Sequence, residues 1–176
     1  PVLTTRRVDF PVSGKKYTAP GQRFIAISNA VKQVLIDGGV QPGVIDLVYS
    51  GIDTARVTGG DGAALRKEWL GSDKGPVIGF VGAFVDHKAP WILAEAAPLI
   101  RASIPGARVV FVGDGELRPK LEAIRAQHPD AIVFAGHRQD IADCYAAFDI
   151  FVMPSQLEGL CTSLIDALAA GVPAVA

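Results

Sequence analysis

The sequence predicts an α/β fold in which one parallel sheet carries helices on both faces. Two observations point there. Short apolar runs of four to six residues alternate along the chain with helical patterns, and turn residues separate the two kinds of segment. The runs are apolar throughout rather than every second residue, as expected for strands buried on both faces.

Val77-Ile78-Gly79-Phe80-Val81, Ala107 to Val112, Ala131 to Phe134 and Ile150 to Met153 read as the buried strands. Between them, Trp91 to Ser103, Leu117 to Gln127 and Ile141 to Ala147 place apolar residues three and four apart, the spacing of one helix face. A last helix, Ser163 to Ala170, stops at Gly171 with Pro173 just beyond. Nearer the start, Phe24 to Ile27, the helical Asn29 to Asp37 and Ile45 to Tyr49 repeat the theme. The stretch from Thr54 to Gly75 is rich in Gly, Asp and Lys, with one helix expected around Ala63 to Leu70, and reads as a connector. The division expected is therefore 1–53, a remnant of an N-terminal domain; 54–73, a connector; and 74–176, the main domain.

At 176 residues the chain has room for one medium domain, or a domain plus a fragment, given a soft prior of ~150 residues per domain. Apolar residues make up 49% and charged residues 20%, a balance that excludes a disordered chain. The net charge of −1 excludes a general field for nucleic acid or anionic lipid, so an anion site must be local. Cys144 and Cys161 form no CxxC pattern and have no histidine cluster beside them, which signals neither zinc nor a disulfide framework and fits a reducing cytoplasm. No uncharged apolar run approaches the ~20 residues of a membrane span, and the first residues lack a signal-peptide layout. The absent initiator Met and the ending at Ala176 inside an apolar run suggest a piece of a longer protein.

In a parallel α/β sheet ligands bind outside the carboxyl ends of the strands, so the loops after Val81, Val112, Phe134 and Met153 hold the candidate chemistry. The block from Pro154 to Pro173 leaves a strand, turns through Glu158 and Gly159 and opens a helix. The free N–H groups and positive dipole end of such a helix favour a phosphate, and Gly159 lets a ligand approach the backbone. Asp166 follows about two helical turns on, roughly 12 Å at 1.5 Å per residue, the reach of a nucleotide's far end. On residue types alone, Glu158 and Thr162 serve equally well as helix caps, and Asp166 as a solvated residue.

This block resembles the donor-binding signature of the retaining family 4 glycosyltransferases (glycosyl transferases group 1) of the GT-B fold. In that signature two acids eight positions apart flank a glycine-containing helix start, followed by small residues and Gly-x-Pro. Glu158 and Asp166 fall on the acids, Asp166 one methylene short of the usual Glu. Phe80 to Lys88 is similar to the strand exit that carries an Arg and a Lys on the donor diphosphate: Lys88 matches the Lys, while Ala83 stands at the Arg position. Phe134 to Ile141 is similar to the exit that borders the nucleobase, which makes His137 and Arg138 base neighbours. Each of these three is otherwise an ordinary loop residue. Asp149 matches a recurring position too, but a helix-to-strand turn favours Asp without chemistry, and it is assigned to structure. The resemblance covers roughly residues 23 to 176, with gaps in the connector.

The resemblance implies a Rossmann-like domain, the C-terminal half of a GT-B fold, in an enzyme that moves a sugar from a nucleotide-diphosphate donor to an acceptor hydroxyl with retention. Lys88 and Glu158 become the catalytic candidates; Gly82, His137, Arg138, Glu158, Gly159, Leu160, Cys161 and Asp166 become the donor-binding ones. It implies no cofactor and no metal, the nucleotide-sugar being a substrate. It further implies a sugar or lipid-linked acceptor, no nucleic-acid partner, and residence in the cytoplasm or at the inner membrane face, with peripheral membrane association in polysaccharide or glycolipid synthesis. The fragment by itself is expected to be inactive. Two rivals remain. One is a non-catalytic nucleotide or nucleotide-sugar module, suggested by Ala83 and Asp166. The other is a nicotinamide site at Gly113-Asp114-Gly115, where Arg118 occupies the third glycine position of G-x-G-x-x-G.

Overall fold

The computed structural model describes residues 2–12, 17, 19–72 and 74–176; Pro1, residues 13–16, Thr18 and Asp73, small parts of the expected remnant and connector, lie outside the described residues. The chain divides into two compact units, Pro1–Gly51 with Leu157–Cys161, and Ile52–Gln156 with Thr162–Ala176.

The first unit is built on three parallel strands in the order β1 (Val2–Arg6), β2 (Gln22–Ala26), β3 (Ile45–Leu47). Helix α1 (Asn29–Asp37) starts at Ser28, whose Oγ accepts a hydrogen bond from the Val31 N–H at 3.2 Å and so satisfies one of the first-turn donors. Val31 and Leu35, one turn apart, close on Phe24, Ala26 and Ile45, and Leu160 packs against this cluster. Strand β1 is not among the expected elements. Its residues, Val-Leu-Thr-Thr-Arg, are mostly exposed on the sheet edge and carry no buried pattern to announce them.

The second unit holds five parallel strands, β4 (Val77–Val81), β5 (Arg108–Val112), β6 (Ile132–Gly136), β7 (Ile150–Val152) and β8 (Ala174–Val175), in the order β6-β5-β4-β7-β8. The connecting helices are α3 (Pro90–Ser103), α4 (Arg118–Gln127), α5 (Ile141–Ala147) and α6 (Thr162–Ala169), preceded by α2 (Ala63–Leu70). The chain steps outward from β4 to β6 and then returns past β4 to β7 and β8. With right-handed crossovers, α3 and α4 must cover one face and α5 and α6 the other. The packing agrees, since α3 lies on α4 and α2 on α5. The helices change face between β4 and β7, the place where a crevice opens in such sheets.

The two faces of the central strand are filled differently. Phe80 stands in register with Phe111, and Phe111 with Phe134, so three rings line up across three strands with centroids 5.5 Å apart. Phe84 closes over them, 6.0 to 6.1 Å from each. On the opposite face, Gly79 leaves room for the Phe148 ring, which stacks on Trp69 of α2 at 5.8 Å. All four strand exits named in the sequence lie at one edge of the sheet: Gly82 and Gly113 directly follow β4 and β5, Gly136 ends β6, and Pro154 lies two residues past β7.

The stretch read as a connector belongs to the second unit. Its glycines, taken as linker residues, instead let chain meet chain. A Cβ on Gly60 would stand 2.3 Å from the Ala142 carbonyl carbon, and one on Gly62 2.3 Å from the Ala147 nitrogen. The Asp61 N–H also donates to Asp143 at 2.8 Å. Leu65, Trp69 and Leu70 of α2 are buried, which makes this segment part of the core. Strand β8 was likewise not expected, being two residues that follow directly on Pro173. Asp149 accepts from the Val77 N–H and pairs with Arg66, both at 2.7 Å, a structural lock between α2 and the start of β4.

A Cβ on Gly79 would fall 2.3 Å from the Phe148 ring, so Gly79→Ala must displace a ring held by Trp69 and Tyr145. Denaturant unfolding should register a loss of about 1–3 kcal/mol, the usual cost of overpacking; an unchanged midpoint would show that the ring moves freely.

Candidate functional site

A cavity of about 540 Å³ opens at the C-terminal edge of the second sheet. Its floor is the loop after β4, with Gly82 and Ala83, and the loop after β5, with Gly113 and Asp114. His137, Arg138 and Gln139 after β6 form one wall, while Arg56 and Asp166 also line it. Thus Gly82, His137, Arg138 and Asp166, four of the residues singled out in the sequence, come together.

The floor is set by glycines. Gly113 has φ 131°, and a Cβ there would stand 2.1 Å from the Gly82 carbonyl oxygen. A Cβ on Gly115 would stand 2.6 Å from the Phe84 nitrogen. The Phe84 N–H donates to the Asp114 carbonyl at 2.9 Å, and the Leu117 N–H to the Phe84 carbonyl at 3.0 Å. Both glycines are thereby used up in contact between two loops of the protein. A dinucleotide turn would need the second of them, Gly115, open to a pyrophosphate, so this geometry disfavours the nicotinamide reading.

Lys88 closes a short 3-10 turn, Asp86–Lys88, just before α3. It is half-buried, and its stem runs beside the cavity floor: a Cβ on Gly82 would lie 3.4 Å from Lys88 Cδ. Ala83, at the position where the resemblance expects Arg, is exposed and lines the cavity. His137 is exposed on the wall. Arg138 is bound to Asp140, its Nε donating to Oδ1 at 2.8 Å and its Nη2 to Oδ2. This hydrogen bonding holds the Asp140 carboxyl below the usual carboxylate range and raises the guanidinium further.

Asp166 departs from the solvated position allowed by residue types. Its side chain is only 7% exposed; Oδ2 lies 3.4 Å from Arg56 Nη2, and Oδ1 has no hydrogen-bond partner. Burial pushes this carboxyl above the usual range, and Arg56 opposes the rise. Arg56 itself, 63% exposed at the end of a 3-10 turn, carries no motif signal. It meets Asp166 across 110 positions of chain, so no local pattern could have found it.

Glu158, Gly159, Leu160 and Cys161 group with the first unit. There Gly159 is buried, and a Cβ on it would lie 2.6 Å from the Arg7 carbonyl oxygen and 3.2 Å from Val31 Cγ2. The close approach expected for a ligand at Gly159 is thus one made by the chain itself. Helix α6 begins at Thr162, after this segment. Among the described residues no group of three His, Cys, Asp or Glu side chains is placed to hold a metal ion, and no helix is long and apolar enough to cross a membrane.

Residues 75–176 match the family model described as glycosyl transferases group 1. The chain is 33% identical over 159 residues to a GDP-mannose-dependent alpha-mannosyltransferase of Corynebacterium glutamicum, covering 88% of this chain and 35% of that protein. It is 30% identical over 164 residues to the UDP-Gal:alpha-D-GlcNAc-diphosphoundecaprenol alpha-1,3-galactosyltransferase of Escherichia coli, covering 87% of this chain and 42% of the relative. The chain thus spans well under half the length of these relatives. Among solved structures, Anabaena HepE in complex with UDP and glucose superposes with a TM-score of 0.77 at 22% identity, over 86% of this chain and 43% of that one. WaaG, a glycosyltransferase involved in lipopolysaccharide biosynthesis, gives 0.72 at 17% identity over 89% and 44%. The fold they share is that of GT-B glycosyltransferases.

Because the folded-state carboxyl of Asp166 titrates higher than the unfolded one, its stabilising contribution is present in acid and lost as pH rises through the folded value. At neutral pH the ionised side chain therefore costs stability. Asp166→Asn should raise the Tm at pH 7, and the gain should vanish toward pH 4; a gain independent of pH would assign the effect to packing instead.

Proposed function

Since the chain belongs to the glycosyl transferases group 1 family, we propose that it supplies the nucleotide-sugar site of a retaining glycosyltransferase that transfers a sugar from a nucleotide-diphosphate donor to an acceptor hydroxyl. The observation that carries this is the cavity at the carboxyl edge of the second sheet, with a buried, under-partnered carboxylate on the acid position of the family's signature. A nucleotide offers what that site lacks, since its ribose hydroxyls are hydrogen-bond donors. In this reading Asp166 accepts from the ribose, while the walls at His137 and Arg138 border the base.

The chemistry is electrostatic. As the glycosidic bond breaks, the leaving diphosphate gains negative charge, and fixed donors and cations lower the barrier by meeting that charge where it develops. Lys88 is the cation in this reading, with a mobile ammonium rather than the planar fork of an arginine. Glu158 is assigned to the donor sugar, and the N–H groups of Leu160 and Cys161 to the phosphates. Those three assignments rest on the sequence signature. The reaction in this scheme needs no metal, so a chelator should leave its rate unchanged.

An acceptor of the sugar or lipid-linked class fits the galactosyltransferase relative named for a diphosphoundecaprenol acceptor, and residence in the cytoplasm or at the inner membrane face is what the family resemblance implies. The non-catalytic module remains the second reading because Ala83 puts no cation where the family pattern has one.

Calorimetry of this chain with UDP, GDP, ADP and their sugars tests the proposal, with one of the three bases expected to bind. Removing Lys88 takes away a charge-assisted bond of about 1.5–3 kcal/mol, so Lys88→Ala should weaken the bound nucleotide by about one to two orders of magnitude. Unchanged affinity would move the module reading ahead. In a full-length active transferase carrying this chain, Glu158→Ala should abolish most of the rate at unchanged Tm, whereas Asp149→Asn should lower the Tm and leave the rate of the folded enzyme near wild type. NMR of the product's anomeric proton decides retention.

A further inference from the structure

Asp166 is a buried carboxylate in an unfinished environment. One oxygen has a single long contact, 3.4 Å to Arg56 Nη2, and the other has none. A carboxylate has about four acceptor sites, and leaving them empty in a buried place is costly. Oδ1 is shielded from solvent, so Oδ2 is the oxygen that a molecule in the cavity can meet, and its single long contact leaves it a further acceptor site. Arg56 lines the same cavity and stays largely in solvent.

We propose that Arg56 is a positioning residue for the nucleotide: through one contact it holds Asp166 Oδ2 at the cavity with an acceptor site left open to a ribose hydroxyl. The inference rests on the reading of the cavity as a nucleoside-diphosphate site. The arrangement has a physical logic. Without a cation the buried carboxyl would be pushed further toward its protonated form, a weaker acceptor that must also place its own hydrogen. With a close, two-pronged arginine both oxygens would already be engaged, as those of Asp140 are by Arg138. A single long contact does neither. The other charged and titratable groups lining this cavity are Asp114, His137 and Arg138, and the first cause of the rise in Asp166 is burial, with Arg56 the group that opposes it.

The experiment is calorimetry of this chain with UDP and GDP and with their 2′,3′-dideoxy counterparts, for wild type, Arg56→Met and Arg56→Lys. Arg56→Met keeps the apolar stem of an exposed side chain, and its Tm is measured alongside. The expected result is a loss of about tenfold for the ribonucleotide that wild type binds, with the dideoxy counterpart changed less than about twofold. The acid limb of the variant's ribonucleotide binding should move to higher pH, and Arg56→Lys should recover part of the affinity. Equal losses for ribo and dideoxy forms would place Arg56 on the phosphate or base and overturn the proposal, as would no loss at all. If wild type binds ribo and dideoxy forms equally, Asp166 does not read the ribose and the proposal fails while the nucleotide site stands. If neither UDP nor GDP binds wild type, the nucleotide reading itself fails, and this inference with it.

Discussion

Two glycines let the loop after β5 lie directly on the loop after β4, and the cavity exists because of that contact. At Gly113 the backbone adopts φ 131° and approaches the Gly82 carbonyl oxygen so closely that a Cβ would be 2.1 Å away. At Gly115 the chain meets the Phe84 backbone, which is in turn hydrogen-bonded to Asp114 and Leu117. Phe84 is thereby held over the row of Phe80, Phe111 and Phe134, whose alignment follows from parallel register. Apolar packing below and backbone bonding above fix the floor, and the lining residues from three loops are placed relative to it. Any side chain at 113 would break this order from the top downward.

The same loop carries a second constraint. Ala89, between Lys88 and Pro90, has φ 44° in the left-handed region that favours glycine. Such a backbone costs an alanine about 1–2 kcal/mol. It persists because the side chain is fully buried and the backbone is bonded on either side: the Ala89 N–H donates to the Asp86 carbonyl and the Ile92 N–H to the Ala89 carbonyl. The strain thus lies immediately beside the lysine whose stem runs along the cavity floor. A residue held by buried packing is a firmer anchor for a mobile ammonium than a solvated loop would be.

Most of the second unit was legible in the sequence because parallel strands buried on both faces are apolar at every position, and Val77–Val81 and Ile141–Ala147 fall where the pattern puts them. What was not legible depends on contacts between distant segments. The glycines at 60 and 62 read as linker residues when alone, and only the approach of α5 shows that they make room for it. Gly159 was assigned to a ligand by its motif, whereas the chain's own Arg7 and Val31 fill the space beside it. Edge strand β1 has too few buried residues to announce itself. Asp166 was found by its spacing from Glu158, but its burial and its partner were not, since neither leaves a trace within a few residues of it.

Two arginines line the cavity and each meets a carboxylate, yet the pairs do opposite things. Arg138 and Asp140 are two positions apart, bonded through two nitrogens and two oxygens, and the acid is held charged by that bonding. Such a local pair is complete in itself: each oxygen of the carboxylate already has its donor. Arg56 and Asp166 are joined by one long contact across the fold, and burial outweighs the arginine in setting the carboxyl's titration. This pair is incomplete, with its acid in the protein and its base in water. Of the two, only Asp166 gains from a ligand's hydroxyl, because only there does a hydrogen bond replace an unmet one rather than compete with one already made.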